Sequence, residues 1–175
     1  FFDSKEVSNL SKLLPEKKIN ILEIGFGDGK NLIEKAMTNS NMNFYGLEVF
    51  KSGIASVLKQ AQIHDLDNLC LFYGDAKDFL VKTEKPFFDF IFILFPDPWP
   101  KKKHWKRRLI DLNFLNLIKQ NLKKKGRLIV KTDWQDYADD IKKDFAEFKI
   151  SHDLNILQSL KPIQTKYEGK AIEEG

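Results

Sequence analysis

A three-layer α/β fold, with a mostly parallel central sheet and helices on both faces, is what this sequence predicts, on three observations. Short apolar runs alternate with longer segments of helical spacing, the pattern of strand–helix–strand crossovers. The run FDFIFILF at 88–95 is apolar at almost every position, as a central parallel strand buried on both faces requires. A glycine-rich turn follows the first strand, where such folds place a ligand.

The elements follow in order. INILEI (19–24) reads as the first strand, leading through the turn into a helix near 29–38. NFYGLEV (43–49) and NLCLFYG (68–74) read as strands two and three, with a helix near 51–62 between them. FDFIFILF is the fourth. In 107–123, Leu109, Leu112, Leu115 and Ile118, with Phe114 and Leu122, form an apolar stripe, so a helix is expected there. Lys123, Lys124 and Lys125 before Gly126 read as its C-terminus, where cations meet the negative dipole end and glycine permits the exit. GRLIVKT (126–132), a helix over 134–147 and a less regular strand HDLNILQ (152–158) complete the count at six strands.

Composition bounds the function. At 175 residues, 42% hydrophobic and 31% charged, with 15 Phe, 4 Tyr and 3 Trp, the chain can fill one sizeable core and reads as a single domain over 1–175. No apolar run approaches the ~18 residues of a spanning helix. The single Cys70 excludes a disulfide framework and fits a reducing cytosol, so a cytoplasmic, metal-free protein is expected. His64 and His152 lack any metal or triad spacing. The charge is local. Lys101, Lys102, Lys103, Lys106, Arg107 and Arg108 lie within KKKHWKRR, and these six cations exceed the whole-chain net charge of +4. The remainder is therefore net acidic, and the run is a patch able to bind a polyanion.

The turn after the first strand reads EIGFGDGK. A dinucleotide fingerprint, G-x-G-x-x-G, needs its third glycine three residues after the second. Here Gly29 comes two after Gly27, Lys30 stands at three, and Asp28 would repel a diphosphate. The spacing of Glu23, Gly25, Gly27 and Gly29 instead resembles motif I of the class I S-adenosylmethionine-dependent methyltransferases, which have a Rossmann-like fold. Their ligand carries an amino acid and a sulfonium in place of a pyrophosphate, so carboxylates become an asset. Glu48 ends the second strand, where a carboxylate can accept both ribose hydroxyls. Asp75 ends the third and could receive the adenine amine. Either acid alone could simply cap the next helix.

After the fourth strand the chain reads PDPWPKKKHWKRR. Amino-group methyltransferases carry [DNS]-P-P-[YFW] here, whereas Pro96-Asp97-Pro98-Trp99 has no adjacent prolines. Taken with KTDWQDY (131–137) and TKYE (165–168), the segment closely resembles the bacterial tRNA (guanine-N7-)-methyltransferase family, over essentially the whole chain. The resemblance implies methyl transfer from S-adenosylmethionine to guanine N7 in the tRNA variable loop, leaving S-adenosylhomocysteine. It implies that Glu23, Gly25, Gly27, Glu48, Asp75 and Asp97 hold the cofactor, with Asp97 also the catalytic residue. Lys101, Asp133, Thr165, Lys166, Tyr167 and Glu168 would contact the substrate nucleotide. Lys103, His104, Trp105, Lys106, Arg107 and Arg108 would meet the RNA, Trp99 and Trp105 packing the loop more than stacking on a base. Asp133 could equally cap the 134–147 helix. Because guanine N7 has a free lone pair and no proton to lose, Asp97 is read as an orienter and charge stabiliser rather than a base. Members usually run past TKYE into a final strand, so a truncated last strand is expected, and a monomer or homodimer. A methyltransferase for an exocyclic amine and a non-catalytic RNA-binding relative are the alternatives.

Overall fold

The computed structural model describes residues 1–3, 9–15, 19–83 and 85–147. The expected strand at 152–158, His152, and Thr165, Lys166, Tyr167 and Glu168 lie outside the described residues. Within them the order is β1 (Phe2–Asp3), a 3₁₀ turn (Leu10–Lys12), β2 (Ile19–Ile24), α1 (Lys30–Thr38), β3 (Met42–Glu48), α2 (Lys51–Ile63), β4 (Leu69–Tyr73), α3 (Ala76–Lys82), β5 (Phe88–Leu94), a second 3₁₀ turn (Lys102–Arg107), α4 (Leu112–Asn121), β6 (Leu122–Lys131) and α5 (Gln135–Glu147).

The strands form one parallel sheet in the order β1-β4-β3-β2-β5-β6. Alternate residues face opposite layers, as the period of two demands. Leu22 and Ile24 of β2, with Ile91 and Ile93 of β5, pack into the layer formed by α3, α4 and α5. Ile21, Phe92 and Leu94 pack into the layer of α1 and α2. Helices thus cover both faces, as expected. Because every strand runs the same way, all carboxyl ends lie along one edge. The strand order reverses at β2, between β3 and β5, and that switch point is where an open α/β sheet binds its ligand.

Three differences from the sequence reading have physical causes. β1 is only two residues long, too short for a periodic signal, and it is a strand that the sequence pattern does not predict. α3 spans 7 residues, below the length at which helical periodicity is distinctive, and went unassigned; Asp75 starts it, accepting from the Lys77 and Asp78 N–H groups. The third is a correction. Lys123, Lys124 and Lys125 belong to β6, and α4 ends at Asn121. Asn121 is fully buried, its side-chain amide donating to the carbonyls of Leu80 (2.9 Å) and Leu117 (2.8 Å) while the Thr83 hydroxyl donates to its Oδ1. Its own carbonyl accepts from the Phe87 N–H, so Leu122 is drawn into register with Phe88. The lysines occupy an irregular stretch of the β5–β6 pairing, and Lys123 pairs with Asp89 at 2.7 Å.

Candidate active site

Four parallel strands end beside one cavity of about 390 Å³. From β2 comes the glycine turn, with Gly25, Gly27 and Gly29 at φ +72°, +59° and +79°, a region other residues rarely adopt. The turn is held by the neighbouring strand: the Gly25 N–H donates to the Leu47 carbonyl (2.8 Å) and the Gly27 N–H to Glu48 Oε2 (2.8 Å). Glu48 Oε1 also accepts from the N–H groups of Val49 (2.7 Å) and Phe50 (3.1 Å). Glu48 thus already accepts three backbone hydrogen bonds, which leaves about one of a carboxylate's four lone-pair sites. The expectation that it receives both ribose hydroxyls is reduced to one.

Glu23 is 3% exposed, on the α1 side of β2. Burial pushes its carboxyl up to about 7 from 4.5, a hydrogen bond from the Asn31 side-chain amide (2.7 Å) opposes this, and the nearby Asp28 charge adds to it. Asp75 also lines the cavity; both of its capping bonds go to Oδ1, so the capping and ligand-binding readings are compatible. Among the described residues, five carboxylates (Glu23, Asp28, Glu48, Asp75 and Asp97) and two cations, Lys30 and Arg107, line this space.

β5 contributes the loop carrying Asp97. It is bracketed by two non-glycine residues at positive φ, Phe95 (52°) and Trp99 (47°), each costing roughly 1–3 kcal/mol and persisting only because its surroundings impose it. At its start the Phe95 N–H donates to the Lys131 carbonyl (2.8 Å), tying this loop to the one carrying Asp133. Asp97 is exposed and lines the cavity with Trp99 and Arg107. Lys101 and Asp133 are exposed on the same sheet edge but do not line the cavity. The turn before α5 uses Thr132, whose hydroxyl accepts from the Trp134 N–H (3.2 Å).

The cationic run divides. Lys103 and Lys106 are exposed. Arg107 lies over the Trp99 ring (4.9 Å) and His104 meets the same ring edge-on (5.7 Å). Trp105 is half-buried between Lys102 (5.9 Å) and Arg108 (4.6 Å). Arg108, expected among the RNA-contacting residues, is only 7% exposed, with Nε and Nη1 bonded within the protein and Nη2 buried without a partner, so it offers little surface to a phosphate.

The family profile described as "Putative methyltransferase" matches residues 17–175. A tRNA (guanine-N(7)-)-methyltransferase of Nitrosococcus oceani is 37% identical, the alignment covering 95% of this chain and 72% of that protein. The enzyme of the same name from Buchnera aphidicola is also 37% identical, with the same two coverages. The chain belongs to the tRNA (guanine-N(7)-)-methyltransferase family. Among solved structures, the precorrin-6y C5,15-methyltransferase of Geobacter metallireducens superposes with a TM-score of 0.60 at 18% identity, over 79% of this chain and 67% of that one, which supports the Rossmann-like class I methyltransferase fold. Membership makes the chain an enzyme that uses S-adenosylmethionine.

The residues present fit that cofactor. An acid-rich cavity suits a ligand bearing an ammonium and a sulfonium and opposes a diphosphate. At Gly25 and Gly27 an added Cβ would meet nothing within 4 Å, so open space lies over the turn. Two contributors escaped the sequence reading. Asn31 polarises Glu23 from the first turn of α1, a partnership that only the fold creates. Gly53, inside α2, lets that helix approach the glycine turn, since a Cβ there would sit 2.3 Å from the Gly27 carbonyl oxygen. A lone glycine within a helical pattern was its available signal. Among the described residues no helix is long and apolar enough to cross a membrane, and no group of three or more His, Cys, Asp or Glu is placed to hold a metal.

Proposed function

We propose that this chain methylates N7 of a guanine in the variable loop of tRNA, in the cytosol. The observation carrying this reading is the junction at the end of β5, where an acid-rich cavity meets Asp97 and the cationic run begins four residues later. When bound, S-adenosylmethionine supplies a methyl made electrophilic by its sulfonium.

The protein's part is placement and electrostatics. Glu23, steadied by Asn31, faces the amino-acid ammonium and ionises against it. Glu48 fixes the glycine turn and offers its remaining lone pair to a ribose hydroxyl. Asp75 takes the adenine amine. Asp97 stands where the methyl acceptor enters. The attacking N7 has no proton to lose, so no base is needed; holding the two reacting atoms in near-attack geometry can supply ~7–11 kcal/mol of barrier reduction. Positive charge passes to the purine during transfer, and the carboxylate of Asp97 is positioned to stabilise it. Lys101 and Asp133, on the neighbouring loops, contact the guanosine together with Thr165, Lys166, Tyr167 and Glu168. Lys103 and Lys106 meet phosphates through charge and counterion release.

Incubating the protein with radiolabelled S-adenosylmethionine and unmodified tRNA, then digesting and identifying the nucleoside, tests the reading. Label in 7-methylguanosine is expected. Label confined to an exocyclic-amine product would replace it with an amino-methyltransferase, and no transfer at all would favour an RNA-binding relative.

A further inference from the structure

We propose that Arg108 is a positioning residue that fixes the Asp97 loop against α5 and makes no contact with RNA. It closes a run of six cations, yet its guanidinium is enclosed. Nε donates to the Pro98 carbonyl (2.8 Å), and Nη1 pairs with Asp140 on α5. The Trp105 ring (4.6 Å) and the Tyr137 ring (4.8 Å) take its cation by π contact. Tyr137 is itself fully buried, its hydroxyl accepting from the Ile110 N–H (3.0 Å), so α5 is tied to Arg108 and also to the chain two residues beyond it. One side chain thereby joins the residue directly after Asp97, the end of the cationic turn and the helix following Asp133.

The loop needs such a hold. Phe95 and Trp99 sit at positive φ on either side of Asp97, and backbone of that kind persists only where its surroundings over-determine it. The Pro98 carbonyl falls between those two points, and the guanidinium meets it there. Arginine suits the task because its planar fork can serve two acceptors in fixed directions while stacking on rings; a lysine ammonium is a point charge and cannot do both. This also assigns work to Tyr137, the last residue of KTDWQDY.

The proposal deepens the methylation reading, and its test separates the two. Arg108→Lys keeps the charge, so a phosphate contact would survive it and a clamp would not. The expected result is a kcat for methyl transfer about 10²-fold lower, the scale of an ångström-sized misplacement. S-adenosylhomocysteine affinity and the salt dependence of tRNA binding should stay unchanged. Amide hydrogen exchange should quicken in peptides covering 96–104. Lys106→Ala, by contrast, should flatten the slope of log K against log salt by about 0.7–0.9, as loss of one phosphate contact does. Asp140→Asn keeps the volume and the arginine; its kcat loss should be smaller and non-additive with Arg108→Lys. Wild-type kcat and exchange in Arg108→Lys, or a salt slope flattened by about 0.7–0.9 in Arg108→Ala, would overturn the clamp. Exchange and salt slope need no turnover, so an inactive wild type would count against the methylation reading while those two readouts still decide the clamp.

Discussion

Replacing Glu23 with Gln tests the electrostatic centre of the site. In the free protein burial holds this carboxyl at about 7 instead of 4.5. At 1.36 kcal/mol per pKa unit, that difference weakens the fold by about 3 kcal/mol once the pH exceeds the folded value. The sign follows from protons bound: below 4.5 both states are protonated and the fold keeps its full stability. Between 4.5 and about 7 the unfolded chain ionises while the folded one resists, and stability falls. In the proposed binding mode an ammonium lies beside Glu23 and favours the carboxylate, so cofactor binding should reverse the preference. With the free group at about 7 and the bound group ionised throughout, affinity for S-adenosylhomocysteine should rise about tenfold from pH 6 to pH 8. About half a proton should be released per binding event at pH 7. Titration calorimetry in buffers of differing ionisation enthalpy measures both. Glu23→Gln keeps the shape and can still accept from Asn31, so it should bind more weakly by the ~1.5–3 kcal/mol of a charged hydrogen bond, with a flat pH profile. The unliganded variant should melt above wild type at pH 8 and beside it at pH 4.5. A flat wild-type profile, or an unchanged slope in the Gln variant, would refute the reasoning.

Two further perturbations separate binding from turnover. Asp97→Ala should abolish methyl transfer while preserving the melting temperature and shifting cofactor affinity at most modestly, since Asp97 is exposed and makes no hydrogen bond or ion pair among the described residues; near-normal kcat would remove it from the mechanism. Gly53→Ala places a methyl 2.3 Å from the Gly27 carbonyl oxygen, which backbone must yield to, so cofactor affinity should drop at least tenfold with tRNA affinity intact; unchanged cofactor affinity would show that α2 can retreat without disturbing the turn.

The ligand class was legible because its signals are local. A strand that ends in Glu23 and then turns on Gly25, Gly27 and Gly29 must put that acid and those amides at one sheet edge, and parallel strands put Glu48, Asp75 and Asp97 there too. What escaped was the competition for each group. Glu48 reads as a ligand acid, but the backbone of its own loop and of the glycine turn claims most of its lone pairs. Lys123, Lys124 and Lys125 read as a helix end, yet a buried asparagine stopped α4 before them.

The sequence by itself therefore determined the layered sheet, the acids lining the cavity, the family and the patch of charge that follows Asp97. All of these follow from residue spacing along single elements. Only the tertiary structure decided which cations of that patch remain free. Arg107 and Arg108 are neighbours of the same type, but one reaches the cavity over Trp99 while the other is enclosed by Tyr137 and Asp140. A charge is assigned its role by whichever acceptor meets it in space, and for Arg108 that acceptor lies 32 residues along the chain.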